Sequence, residues 1–172
     1  MTVTLVEKYN SDWPEWFREI KAFLGEQIAQ SWIRIEHVGS TSIPGMIAKP
    51  IIDIIIVIEP ERGEEMKSFL EERGYHYRGD QGIKDREVFR LIDETLLPEH
   101  HLYVCPKDSF EIKRETAFRD YLKTHKADRE RLSALKWSLA EKFNNNRQLY
   151  MDGKDVMCKE ITKKALEYMA RK

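Results

Sequence analysis

Apolar residues change their spacing along the chain, and each spacing predicts a different kind of element. Residues 11–30 carry apolar side chains at helical intervals, which predicts an amphipathic helix. Residues 32–38 alternate apolar and polar side chains, as a strand with one polar face does. Residues 51–58 are nearly all β-branched, which is typical of a strand buried on both faces, although Asp53 interrupts them. The first part of the chain is therefore predicted as helix, strand, loop and strand.

The middle of the chain repeats this alternation of helix and strand. Residues 63–73 predict a helix, and Gly74 follows in the position of a C-terminal cap. Strands are predicted at 87–92 and 101–105, after a glycine- and charge-rich loop at 78–84.

From Ser109 onward the apolar spacing is helical and the charge density is high. The asparagines at 144–146 and the Asp152-Gly153 pair predict breaks between helices. Lys154 would then lie in the first turn of the last helix, after Asp152 as its cap.

Length and composition suit one compact domain, because 41% of the 172 residues are hydrophobic and 34% are charged. Within residues 1–172, we predict an α/β (α+β) core with an N-terminal helix at 1–108. A helical extension at 109–172 is expected to pack on that core. Strands close together in sequence, joined by short helices, favour a mixed sheet covered by helices on one face.

Net charge limits the expected partners. A formal net charge of −1 gives no general attraction to nucleic acid or to an anionic membrane, so neither is an expected partner.

No apolar segment approaches the roughly 20 residues needed to cross a bilayer. Cys105 and Cys158 lack metal-type spacing and the N-terminus lacks a signal pattern, which favours the cytoplasm. The oligomeric state is left open.

Strand alternation groups the polar residues of the predicted sheet. If the more apolar set of each strand faces the core, one surface collects two carboxylates, two guanidinium groups and an imidazole. Its members are Glu36, Asp53, Arg86, Arg90 and His101, with Tyr103 as a further candidate. Carboxylates suit a metal ion, and arginines suit phosphate oxygens through bidentate hydrogen bonds.

The loop after residue 38 contains Gly39, Ser40, Thr41 and Ser42. A flexible backbone with hydroxyl donors suits phosphate, but the same residues also form ordinary turns. Lys49, later in this loop, either neutralises phosphate or is simply exposed.

Two alternatives concern Asp53 and His37, and one expectation concerns the pair His100 and His101. Asp53 holds a metal ion or forms a salt bridge with Lys49 or an arginine, because an unpaired carboxylate in a buried strand is costly. His37 either has a direct role or is a core histidine bonded to the backbone. His100 and His101 are adjacent on a strand and point to opposite faces, and we expect His101 on the polar face.

Residues 36–45 (EHVGSTSIPG) followed by 48–54 (AKPIIDI) resemble the GrpB family, which is placed in the nucleotidyltransferase superfamily of the DNA polymerase β type. The resemblance extends over essentially the whole chain and implies a nucleotidyltransferase-like fold with a helical tail. Superfamily enzymes carry Asp-x-Asp or Asp-x-Glu on the strand after the Gly-Ser turn, where two metal ions assist attack on an α-phosphate. Here the second position is Ile55, so a two-metal site is incomplete unless Glu36 or another acid substitutes.

The leading hypothesis is a nucleotide-binding protein that depends on Mg²⁺ or Mn²⁺. Asp53 and Glu36 would hold the metal, and Gly39 to Ser42 with Lys49, Arg86 and Arg90 would bind phosphates. Asp53, Glu36 and His101 would act in catalysis, and the reaction would be nucleotidyl transfer to a small acceptor. The alternatives are a non-catalytic module that binds a nucleotide or another phosphorylated metabolite, and an interaction protein built on the helical tail.

Overall fold

The structure, a computed structural model, describes residues 5–144 and 146–172. Its helices are α1 (Trp13–Ala29), α2 (Gly63–Glu72), α3 (Phe110–Thr124), α4 (Lys126–Lys142) and α5 (Arg147–Ala170). Its strands are β1 (Arg34–Val38), β2 (Ile52–Ile58), β3 (Tyr75–Tyr77), β4 (Glu87–Leu91) and β5 (His100–Pro106). No helix of this part of the chain is long and apolar enough to cross a membrane.

The five strands form one mixed sheet in the order β1-β2-β5-β4-β3. β2 and β5 run parallel, whereas the other neighbouring pairs are antiparallel. The predicted α/β class and the mixed sheet are thus confirmed. β3 was missed, because three residues at the edge of a sheet are too few for an alternating pattern to be recognised.

The chain divides into two compact units. The sheet unit contains residues 12–38 and 51–113, and therefore the whole sheet with α1, α2 and the first residues of α3. The helical unit contains residues 1–11, 39–50 and 114–172, of which residues 1–4 and 145 are not described. The expected single domain with a boundary near residue 108 stays a prediction.

Hydrophobic burial anchors the loop between β1 and β2 inside the helical unit. Ile43 and Met46 are both 0% exposed and belong to an apolar cluster with residues of α3, α4 and α5. The helical members of that cluster are Ala117, Tyr121, Leu122, Leu132, Ile161 and Ala165. The loop is therefore part of a hydrophobic core rather than a free surface segment.

The predicted break at Asp152-Gly153 is wrong, because α5 continues through both residues. A Cβ on Gly153 would lie 2.5 Å from Cδ2 of Leu139, so glycine here serves the close approach of α5 to α4. Lys154 consequently lies inside α5 and not in a first turn.

The break at the asparagines is confirmed. The side chain of Asn146 caps α5 by accepting a 3.1 Å hydrogen bond from the backbone N–H of Leu149. Asn145, the middle asparagine of the three, lies outside the described residues.

Helix α1 contains a kink that the helical pattern did not predict. Gly25 has φ +82° and ψ 173° between helical neighbours. This conformation is essentially restricted to glycine, because a Cβ collides with the backbone there. The guanidinium group of Arg73 packs on the same position, and a Cβ on Gly25 would lie 2.9 Å from its Nη2.

We therefore expect Gly25→Ala to lower the free energy of unfolding by about 1–3 kcal/mol. The matched control is Gly63→Ala, because Gly63 has φ −57° and a Cβ added there meets no atom within 4 Å. Urea unfolding of the three proteins measures the difference. Equal stability of the two variants would contradict the strain at Gly25.

Candidate functional site

The strand register places the polar residues of β1, β2 and β5 on one face of the sheet. Asp53 pairs with Val38 on one side and with His101 on the other. Ile55 pairs with Glu36 and with Tyr103 in the same way. Because paired residues of adjacent strands project to the same side, Glu36, Asp53 and His101 share a face as the alternation predicted.

Asp53 is the one residue of β2 that is not buried. Its Oδ1 lies 2.9 Å from Nδ1 of His101. At neutral pH a carboxylate accepts hydrogen bonds and does not donate them, so Nδ1 of His101 carries the proton. The other ring nitrogen, Nε2, is then the one that can accept a proton. The partner of Asp53 in the structure is thus His101 rather than Lys49 or an arginine.

The position of the expected second carboxylate is filled by hydrocarbon. Ile55 is 0% exposed and packs with Val38, Val57, Cys105 and Ile112. Glu36 lies directly across from Ile55 on β1, and its Oε1 accepts a 3.0 Å hydrogen bond from Arg34. The carboxylate that shares this face with Asp53 is therefore that of Glu36, which lies on β1 and not at position 55 of β2.

The two predicted arginines have different surroundings. Arg86 is largely buried, with its guanidinium carbon 4.8 Å from the centre of the Tyr103 ring and its Nη1 3.9 Å from Oε1 of Glu111. Its buried Nε has no hydrogen-bond partner among the described residues. Arg90 is instead exposed and lines a surface depression with His100. Arg86 therefore joins the polar face, whereas Arg90 lies in a separate depression.

His100 and His37 have structural surroundings. The Tyr75 hydroxyl donates to Nε2 of His100, and Nδ1–H of His100 donates to the Pro98 carbonyl, both at 2.8 Å. Burial lowers the pKa of His100, which is neutral in this arrangement. His37 stacks on Phe17 of α1 with ring centres 5.0 Å apart.

In the helical unit, the loop residues predicted to bind phosphate form a short 3₁₀ turn at Ser40–Ser42. Gly39 enters this turn with φ +70°, a value that favours glycine. The Ser42 hydroxyl donates a 2.5 Å hydrogen bond to the Gly39 carbonyl, and Thr41 is only 1% exposed. Ser40 and Ser42 are half-buried, whereas Thr41 is buried.

A stripe of polar residues on α4 faces this loop and was missed in the sequence. Arg129, Ser133 and Lys136 follow one another at intervals of four and three residues, so they lie on one side of the helix. Nζ of Lys136 donates to Oγ of Ser40 and, at 3.2 Å, to the Ile47 carbonyl.

The other two members of the stripe contact neighbouring loop residues. Ser133 accepts a 3.1 Å hydrogen bond from the Ile47 N–H, and Nε of Arg129 lies 3.6 Å from the position of a Cβ on Gly45. The available signal was a lysine between Leu132 and Leu139 on the apolar side of a helix.

Lys49, the last predicted phosphate ligand, lies against α5. Its Nζ is 5.6 Å from the centre of the Tyr150 ring and 3.7 Å from Sδ of Met151. The cation therefore contacts an aromatic ring, an arrangement that is worth about 0.5–1 kcal/mol at a partly exposed site.

The donor set fits one magnesium ion rather than two. Among the described residues, no group of three or more His, Cys, Asp and Glu side chains is placed to hold a metal ion. Mg²⁺ commonly uses one or two carboxylates and takes its other ligands from water and substrate phosphates. Asp53 and Glu36 suit that chemistry, whereas buried Ile55 removes the bridging acid of a two-metal centre.

Solved structures share this fold. Cid1, solved in complex with its short product ApU, covers 75% of this chain with a TM-score of 0.51 at 10% identity, and 40% of Cid1 is covered. The crystal structure of the conserved protein GrpB from Enterococcus faecalis superimposes with a TM-score of 0.84 at 33% identity. The match covers 95% of this chain and 98% of that one.

The sequence comparisons agree with the structural ones. The model of the GrpB protein family matches residues 2–164, and the chain belongs to the GrpB family. It is 35% identical over 170 residues to UPF0157 protein BH1888 of Halalkalibacterium halodurans, covering 95% of this chain and 83% of the relative. It is 34% identical to UPF0157 protein YqkA of Bacillus subtilis, but spans 46% of that protein's length. The resemblance drawn from residues 36–54 is confirmed.

The neutral state of His100 predicts a pH dependence of stability. Its pKa in the fold is below the ordinary value of 6.5, so the unfolded chain binds more protons at acidic pH. The stability contributed by neutral His100 is present above pH 6.5 and is lost as the pH falls below it. His100→Gln should therefore flatten the rise in unfolding free energy between pH 5 and pH 8.

Urea unfolding at several pH values measures this effect. His76→Gln is the matched control, because His76 is exposed on β3. Identical pH profiles of the wild type and His100→Gln would contradict a neutral buried imidazole.

Proposed function

We propose that this protein binds a nucleotide or a similar phosphorylated small molecule together with Mg²⁺ or Mn²⁺. The observation that carries the proposal is Asp53, a carboxylate at the single unburied position of β2, held 2.9 Å from His101. A buried strand gains nothing from a carboxylate for packing, so a ligand-binding role explains it better.

Each group has a role in this proposal. The backbone of Gly39 to Ser42, the Ser40 hydroxyl and the Lys49 ammonium bind phosphate oxygens. Asp53 holds the metal ion, with Glu36 as the second carboxylate, and the ion neutralises phosphate charge. Arg86, Arg90 and His101 steady the substrate.

If the protein is an enzyme, the reaction is nucleotidyl transfer. An acceptor hydroxyl attacks the α-phosphate, the bond between the α-phosphate and its bridging oxygen breaks, and pyrophosphate leaves. His101 is suited to take the acceptor's proton at Nε2, because Asp53 fixes the proton on Nδ1 and stabilises the imidazolium that forms.

Ile55 supports a second candidate, a module that binds the nucleotide without catalysis. Its complete burial among Val38, Val57, Cys105 and Ile112 makes that position apolar, where a carboxylate would lose its hydration. Such a module would bind a nucleotide with little dependence on the metal ion.

A cytoplasmic location is part of the proposal. Cys105 and Cys158 are free thiols, as is usual in a reducing compartment.

The test is Mg²⁺-dependent pyrophosphate release, measured with each nucleoside triphosphate and a panel of small acceptors. Asp53→Asn preserves shape but removes the charge, and should lower turnover by at least about a hundredfold. Asp108→Asn, at an exposed position after β5, is the matched control and should be as active as the wild type.

Calorimetric titration separates the two candidates. Metal-dependent binding that Asp53→Asn abolishes supports the metal role even without turnover, whereas binding unaffected by chelation favours the second candidate. Absence of nucleotide and anion binding in the wild type would overturn both.

A further inference from the structure

Lys136 is a buried lysine of the helical unit. It is 3% exposed, and it lies on α4 between Leu132 and Leu139, which are also buried. Taking an ammonium group out of water costs several kcal/mol before compensation. A methionine of similar length would pack at such a position without that cost, so the ammonium calls for an explanation beyond packing.

The contacts of the ammonium connect two parts of the loop. Nζ donates to Oγ of Ser40 at the beginning of the loop and to the carbonyl of Ile47 near its end. One charged group thereby holds residues 40 and 47 at a fixed separation. Hydrogen bonds from a charged donor are about twice as strong as neutral ones, which makes this an effective restraint on the loop.

The same contact sets the direction of the Ser40 hydroxyl. An ammonium group only donates, so Oγ of Ser40 must accept the hydrogen bond from Lys136. The hydroxyl proton of Ser40 then points away from Nζ and is oriented to donate elsewhere. Ser42 differs, because its hydroxyl proton goes to the Gly39 carbonyl.

On the basis of the phosphate role proposed for the loop, we infer that Lys136 is a positioning residue. It holds residues 40–47 in their observed conformation and turns the Ser40 hydroxyl proton toward a phosphate or polyphosphate ligand. It acts through Ser40 and Ile47, and its positive charge also makes anion binding at the loop more favourable.

The first measurement needs no ligand. Hydrogen–deuterium exchange of the backbone amides at 39–47 is compared in the wild type, Lys136→Met and Lys142→Met. Lys142 is exposed on the same helix, so Lys142→Met is a matched control. We expect faster exchange of the loop in Lys136→Met alone, and unchanged exchange in this variant overturns the inference.

The second measurement uses tripolyphosphate and adenosine as probes in calorimetric titrations. Lys136→Met should weaken tripolyphosphate binding by about tenfold or more. It should change adenosine binding little, because adenosine carries no phosphate group. A general loss of packing would instead weaken the binding of both probes equally. Equal loss for the two probes overturns the charge-dependent role.

A double-mutant cycle with Ser40→Ala tests whether Lys136 acts through Ser40. The double variant should bind tripolyphosphate about as weakly as Lys136→Met does, and fully additive losses contradict action through Ser40. If Lys136→Met does not fold, the exchange data for Ser40→Ala decide the question. This variant removes the hydroxyl that accepts the hydrogen bond from Lys136, and Ser40 is only half-buried. Unchanged exchange at 39–47 in Ser40→Ala then overturns the inference.

Failure of the proposed function gives a different result. A wild-type protein that binds neither tripolyphosphate nor nucleoside triphosphates refutes the phosphate role of the loop and the ligand part of this inference. The exchange data then decide the conformational role of Lys136 by themselves.

Discussion

The pairing of β2 with β1 and β5 is the constraint on which the placement of the polar residues depends. Every residue of β2 except Asp53 is buried, so a shift of one residue would turn Asp53 to the opposite face of the strand, where Ile52, Ile54 and Ile56 are fully buried. Hydrophobic burial therefore fixes the register. The same register places Asp53 beside His101 and Glu36 beside Ile55, without any contribution from a ligand.

A similar division of roles holds in the loop of the helical unit. Burial of Ile43 and Met46 sets the position of the loop, whereas hydrogen bonds from α4 set the orientation of its polar groups. Lys136 connects these two functions, because its side chain is buried while its ammonium contacts Ser40 and Ile47. A loop fixed in this way would lose little conformational entropy on binding the proposed phosphate ligand.

Much of this arrangement could be predicted from local sequence. Alternation alone assigns Asp53 and His101 to polar positions, and the β-branched run identifies β2 as a buried strand. The direct contact of Asp53 with His101 could not be predicted, because it depends on β5 inserting between β2 and β4. Lys136 is 96 residues from Ser40 in the sequence, and the need for glycine at position 153 comes from the close approach of Leu139. Both features therefore depend on tertiary packing.

The near-zero net charge conceals an uneven distribution that bears on the proposed roles. Most of the lysines and arginines belong to the helical unit, whereas most of the acidic residues belong to the sheet unit. An excess of positive charge favours anion binding in the unit that contains the Gly39–Ser42 loop, and an excess of negative charge favours cation binding in the unit that contains Asp53. Each unit therefore has the charge that its proposed ligand requires, phosphate in the first and a divalent metal in the second. With Ile55 buried, β2 offers the proposed metal ion one carboxylate, Asp53, rather than the pair that a two-metal centre requires.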